Sequence, residues 1–338
     1  MKTIAVLGGR GFLGSRAVAA LRRAGADVAV ASRRGAVQVD VARPETWDAL
    51  APYEVVVDVT DTVRQPPDAL IAWCLARGKT VLEATSEAAC IERLHRAHVG
   101  SPTGRLVLGG GIFTGVSNLL ARDVAQRVGG AEQVTLGISS SPFSGAGRGT
   151  IELMVRAMTL PSVRYEHGQR VESFGMRPGP VLDFGGARRA TGSMSLAEPP
   201  MVHASTGAGD VEVFFAPRPS VLVPLFAALP GWLVRQRWFQ GFMRGYFIVL
   251  RRALLRWAAS PVELVAEARR GEATARRWVH ARDGIEAGGV ALAAITEAVC
   301  GAGSWTGVRF VDDVCELETV VARVNQLAGR ALLVPGEA

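Results

Sequence analysis

Lysine is nearly absent from this chain. Lys2 and Lys79 are the only two, so arginine supplies the other 36 of the 38 basic residues behind a formal net charge of +7. The arginines are scattered, with no block of five or six like charges, which argues against a nucleic-acid-binding tail. Cysteine is also scarce. Cys74, Cys90, Cys300 and Cys315 show no CxxC spacing, which argues against a disulfide frame or zinc site and suits buried thiols in the cytoplasm. His95 and His98 sit three apart on an expected helix, but no carboxylate or thiol cluster joins them, so no metal is expected. The uncharged stretch Ser220–Val234 is fifteen residues long and broken by Pro224 and Pro230, short of the roughly 20 that span a bilayer. An apolar strand begins almost at Met1, which leaves no room for a signal or transit peptide.

With 338 residues, 49% hydrophobic and 20% charged, the chain has the composition of a soluble globular protein of two domains. It is organised around residues 1–34. Ile4–Leu7 reads as a buried parallel strand running into Gly8-Gly9-Arg10-Gly11-Phe12-Leu13-Gly14. Ser15–Ala24 is helix-prone, Gly25-Ala26-Asp27 breaks it, and Val28–Ala31 is a second apolar run. This is a βαβ unit with a dinucleotide fingerprint. Gly9 permits the tight turn, Gly11 admits a pyrophosphate to the backbone, and Gly14 lets helix and strand pack closely. The pyrophosphate would rest on free N–H groups at the helix start. For NAD, an acid would follow about 20 residues later to hold the ribose. Here the strand ends in Ser32-Arg33-Arg34. A hydroxyl and two guanidinium groups suit a 2′-phosphate, so the expected cofactor is NADP (NADPH).

Further strands are expected at Val37–Val41, Glu54–Val59, Lys79–Leu82 and Leu106–Leu108, alternating with helices that end with Asn118–Val128. Six strands in this rhythm make an α/β Rossmann domain, a doubly wound parallel sheet over 1–128. Ligands lie at the carboxyl ends of such strands, so Thr60, Asp61, Thr62, Thr85 and Gly110 should face the cofactor. Asp40 either touches the adenine edge or caps a turn.

The rhythm changes in 129–280. Arg164–His167, Arg170–Phe174 and Val211–Phe215 are short strand candidates broken by Gly and Pro, which suggests an α+β substrate or dimerisation domain on an antiparallel sheet. A second glycine loop, Ser144–Thr150, is either a turn or a support for Arg148 as the binding group of an anionic substrate. In 220–257, Arg235, Arg237, Arg244, Arg251, Arg252 and Arg256 alternate with Trp238, Phe239, Phe242, Tyr246, Phe247, Leu250, Leu254 and Trp257. Such a helix lies at a membrane surface, or is buried against the other domain or the second copy of a homodimer. Residues 281–338 hold two helices, Glu286–Cys300 and Leu317–Gln326, expected to return to the Rossmann domain.

Several stretches resemble the saccharopine dehydrogenase-like oxidoreductases. Leu82-Glu83-Ala84-Thr85-Ser86-Glu87 is similar to the family's aromatic-x-Asp-x-(Ser/Thr)-(Gly/Ser)-Glu segment. Gly110-Gly111-Ile112-Phe113-Thr114-Gly115-Val116-Ser117-Asn118-Leu119 is similar to its glycine-x-x-Pro-Gly-Leu-(Ser/Thr)-Asn-Leu loop. Ser144–Thr150, Ala281–Gly284 and Gly303–Val308 match further landmarks. Thr114 stands where the family has proline, Glu83 where it has aspartate, and Gly288 or Gly289 near its usual threonine. The resemblance implies hydride exchange between NADP and a C–N bond of a small molecule. A proton must move as well, and Asp61, Glu83, Glu87, Tyr165 and His167 are the candidates by position. The Tyr-x-x-x-Lys pair of extended short-chain dehydrogenases is absent, since neither lysine has a tyrosine four residues before it. The other reading is a non-catalytic NADP-binding or membrane-peripheral scaffold protein.

Overall fold

The computed structural model describes residues 2–141, 148–250 and 261–338. They form two compact units, Met1–Leu119 with Ile285–Leu332, and Leu120–Gly284 with Leu333–Ala338. The first half of the chain runs β1 (Ile4–Leu7), α1 (Phe12–Arg23), β2 (Val28–Ser32), β3 (Val37–Gln38), β4 (Val55–Asp58), α2 (Asp68–Ala76), β5 (Thr80–Glu83), α3 (Ala88–His98), β6 (Arg105–Leu108) and α4 (Ser117–Arg127). β1 and β4 are buried at every residue, as strands covered on both faces must be.

The middle runs β7 (Gln133–Ser140), α5 (Arg148–Thr159), β8 (Ser162–Glu166), β9 (Gln169–Ser173), β10 (Leu182–Asp183), β11 (Arg188–Arg189), β12 (Gly192–Ser193) and α6 (Glu198–Thr206). It continues with β13 (Asp210–Pro217), α7 (Leu222–Ala227), α8 (Gly231–Val234), α9 (Arg237–Leu250), β14 (Val262–Arg270) and β15 (Ala273–Ala281). The tail is α10 (Gly284–Gly301), β16 (Gly307–Phe310), α11 (Leu317–Ala328) and β17 (Leu333–Glu337).

The first unit holds a parallel sheet of order β16-β6-β5-β4-β1-β2-β3. The chain builds outward from β1 on one side, then restarts at β4 on the other. That reversal places the crevice for a ligand at the carboxyl ends of β1 and β4. A seventh strand, β16, joins where the sequence suggested only a landmark, pairing Gly307–Phe310 with Arg105–Leu108. α10 is long and apolar enough to cross a bilayer by composition, yet every residue from Ala287 to Thr296 is buried. It is a core helix. A Cβ on Gly289 would lie 2.4 Å from Arg16 Cβ and 3.2 Å from Leu13 O, so these glycines let α10 cross α1 at backbone contact.

The second unit holds the order β17-β15-β14-β7-β13-β8-β9. The expected antiparallel sheet is modified in one place. β7 and β13 run parallel, Gln133 beside Asp210 through Ser140 beside Pro217. Leu182, Phe184, Phe214, Ala216 and Val265 form its core with Trp278 packed against them. β14 and β15 were not anticipated, although Val262, Leu264, Ala266 and Ala268 are buried at alternate positions and Gly271 turns at φ +54°. The tail does not return whole to the first unit. Ile285–Leu332 does, while Leu333–Glu337 adds an edge strand to the second sheet, pairing with β15.

Candidate active site

The tight turn expected at Gly9 takes its left-handed residue one position earlier, at Gly8. Gly8 has φ +73°, and a Cβ there would lie 2.9 Å from Val59 O. The Gly11 N–H donates to Gly8 O at 2.7 Å. A Cβ on Gly14 would lie 2.4 Å from that same oxygen and 2.9 Å from Gly9 Cα. α1 therefore starts flush against the β1 turn, with neither a side-chain cap nor an acid in its first turn. Its leading N–H groups remain available to an anion.

At the tip of β2, Arg33 and Arg34 are exposed, and Arg10 Nη1 reaches across to donate to Arg34 O at 2.5 Å. The tip thus gathers Arg10, Arg33 and Arg34, and the buried Oγ of Ser32, which ends the strand, has no hydrogen-bond partner among the described residues. Arg10 was expected only as part of the glycine loop, and its reach to the β2 tip needed the fold to be seen. Asp40 takes the turn-capping role. Its carboxylate accepts from Ala42 N–H at 3.0 Å and its carbonyl from Trp47 Nε1 at 3.0 Å.

The ends of β4, β5 and β6 carry a second group. Asp58 and Glu83 are register neighbours on adjacent parallel strands, 1% and 0% exposed. Asp58 Oδ1 accepts from Thr60 N–H at 2.8 Å and Glu83 Oε1 from Thr85 N–H at 3.0 Å, so each acid shapes the loop after its strand. Their other oxygens, and Thr60 Oγ1, find no partner among the described residues. Burial raises the pKa of Asp58 against the opposing effect of the Thr60 N–H bond. Burial raises that of Glu83 well above the usual carboxylate range, and the Asp58 charge adds to it. Asp58 was overlooked in the sequence, although it closes Val55-Val56-Val57 as Glu83 closes Val81-Leu82.

Above this pair, the Thr62 and Thr85 hydroxyls lie 2.8 Å apart, and Thr62 Oγ1 donates to Glu87 Oε2 at 3.3 Å. Thr85 Oγ1 also accepts from Glu87 N–H at 3.1 Å. Buried Thr114 donates to Thr85 O at 3.1 Å from a left-handed conformation, φ 55°. A non-glycine residue there is strained, and proline, fixed near φ −65°, would not fit. A proline at this position would therefore require a different local backbone. Gly110 packs this loop on α10, since its Cβ would lie 2.9 Å from Leu292 Cδ1.

Asp61 lies in the same loop, between Thr60 and Thr62, and the remaining candidates lie elsewhere. Asp61 pairs with Arg64 at 3.5 Å and caps its own turn. Tyr165, in the second unit, stacks on His203 with ring centroids 3.9 Å apart. His167 turns at φ 51° between β8 and β9 and donates its N–H to Asp210 Oδ1 at 2.7 Å. Ser144–Gly147 lie outside the described residues, as do the side chain of Arg148 and, further on, Arg251, Arg252, Leu254, Arg256 and Trp257. His95 stacks on Phe310 at 4.8 Å, within the first unit.

No protein-family model and no curated protein sequence matches this chain. Solved structures do. An engineered D-amino acid dehydrogenase is 12% identical, with 95% of this chain and 96% of that one covered at a TM-score of 0.50. The diaminopimelate (DAP) dehydrogenase of C. glutamicum in complex with DAP is 13% identical over 94% and 95%, at 0.47. A myo-inositol dehydrogenase from Corynebacterium glutamicum is 13% identical over 99% and 98%, at 0.40. At such identities the likeness concerns the fold: a Rossmann unit joined to a second unit built on a mixed sheet.

Proposed function

We propose that this protein is an NADP-dependent oxidoreductase of the saccharopine dehydrogenase-like type, acting on a C–N or carbonyl group of a small molecule. The observation that carries this reading is the glycine turn packed against an uncapped helix start, with Arg33 and Arg34 exposed at the tip of β2 and Arg10 reaching across to the Arg34 carbonyl. The glycine cradle fits a pyrophosphate, and the basic tip fits a 2′-phosphate. The bound nicotinamide supplies or accepts the hydride. The chain's own residues hold the cofactor and manage the proton. Glu87, half-buried with Oε2 accepting from Thr62 Oγ1, is the carboxyl group assigned to the proton transfer. Asp58 and Glu83, buried below, keep the Thr60 and Thr85 loops in place.

Calorimetric titration with NADPH and NADH, repeated with Arg33→Ala and Arg34→Ala, tests the reading. NADPH should bind more tightly, and each substitution should weaken it roughly tenfold while leaving NADH nearly unaffected. If neither nucleotide binds, the oxidoreductase reading fails. Tight binding without hydride consumption across a panel of imines and carbonyls would instead favour a scaffold role.

A further inference from the structure

α7, α8 and α9 carry a surface that the proposed oxidoreductase reading does not use. One side of α9 is satisfied. Phe239 is buried, and Met243 and Ile248 pack against Val155 of α5. The other side carries Trp238, Phe242 and Val249, which are 65%, 60% and 65% exposed, with Tyr246 beside them. Trp232 of α8 is 66% exposed and Leu225 of α7 57%. The aromatics run in a ladder along the helix, Phe242 stacked on Tyr246 at 6.3 Å. Gly241 and Gly245 have nothing within 4 Å of where a Cβ would be, so they cover none of it. Isolated exposed apolar residues need no explanation, but six on three successive short helices mark an interaction surface.

The charge around this surface selects the partner. Between Glu212 and Glu263 the sequence holds no acid; Arg218 is taken up by Glu263 at 3.5 Å, while Arg235, Arg237 and Arg244 lie among the described residues of α8 and α9 or between them. A second copy docked face to face would bring these arginines together with no acid in the segment to pair them. A phospholipid surface offers anionic headgroups to the arginines and an apolar layer to the aromatics. Trp and Tyr suit that boundary, because one edge is apolar and the other donates a hydrogen bond. We propose that α7–α9 form an in-plane docking surface for anionic phospholipid membranes, with the aromatic side entering the headgroup boundary.

Full-length protein is tested by sedimentation with phosphatidylcholine vesicles, with and without phosphatidylglycerol, while following tryptophan emission. Expected is binding to the anionic vesicles only, with a blue shift. Arg235→Ala, Arg237→Ala and Arg244→Ala should each weaken partitioning about fivefold. Phe242→Ser and Trp238→Ser remove exposed rings, and they should abolish binding while the cooperative melt is kept. Failure to bind anionic vesicles, or equal binding to neutral ones, overturns the proposal. So does a dimer in light scattering that Phe242→Ser dissociates, which would assign the face to a second copy.

Discussion

The two sheets are of similar size, yet they place their polar residues differently. In the parallel sheet all carboxyl ends share one edge. Ser32, Asp58 and Glu83 end β2, β4 and β5, and Thr60, Thr62 and Thr85 follow them. Several of these groups are buried with an atom lacking any partner among the described residues. In the mixed sheet, strand ends point both ways and acids are claimed by arginines. Glu263 receives both Arg189 Nε and Nη2, at 2.7 and 3.0 Å, and Glu212 receives Arg177 at 2.7 Å. One topology collects unspent hydrogen-bonding capacity at a single edge. The other disperses it. Binding chemistry is therefore expected at the edge of the first sheet, and stability effects without binding effects in the interior of the second.

Phe184→Ala gives the largest effect expected from this contrast. Phe184 is wholly buried in the second sheet's core, so its loss should cost about 3–5 kcal/mol in denaturant unfolding. NADPH affinity of the folded fraction should be unchanged; a matching loss of affinity would break the comparison. Gly14→Ala reverses the pattern. Its new Cβ meets Gly8 O at 2.4 Å, so the turn must shift. Stability should fall by about 1–3 kcal/mol, and calorimetry should record at least a roughly tenfold loss of nucleotide affinity.

Glu83→Gln is the smallest and sharpens the contrast through pH. The folded chain keeps on Glu83 a proton that the unfolded chain releases above the ordinary glutamate value of about 4.5. Stability contributed by this group therefore falls as pH rises from there through the raised folded value. The amide cannot ionise and still offers an oxygen to Thr85 N–H. Melting curves of Glu83→Gln should be flatter than the parent's over that range and higher at neutral pH. Parallel curves would mean that Glu83 is ionised in the fold.

The same contrast explains what the sequence revealed. The glycine turn, β1 to β6 and the Thr60, Thr62 and Thr85 loops were legible because a parallel sheet repeats a local unit of strand, turn and helix. The loop after β6 was partly legible, but Thr114's left-handed backbone has no local signal beyond the missing proline. The Asp58–Glu83 pair required register, since the two acids are 25 residues apart in sequence and adjacent only across β4 and β5. β7 beside β13, and β14 beside β7, join segments far apart in the chain, so alternation alone could not assign partners. Arg10 was legible as a loop residue but not as a neighbour of Arg34, because that contact spans the β1 and β2 turns.

β16 sets a timetable for the molecule's birth. The parallel sheet's first six strands have all emerged once Leu119 has been made, but the strand that covers β6 begins only at Gly307. At translation speeds of 5–20 residues per second, the wait is on the order of ten to forty seconds. Throughout it, the backbone of Arg105–Leu108 stands as an open edge, a template for any stray strand. The most recognisable part of this protein starts first and is sealed almost last, so its yield in a cell depends on how well that edge is sheltered while the second unit is being made.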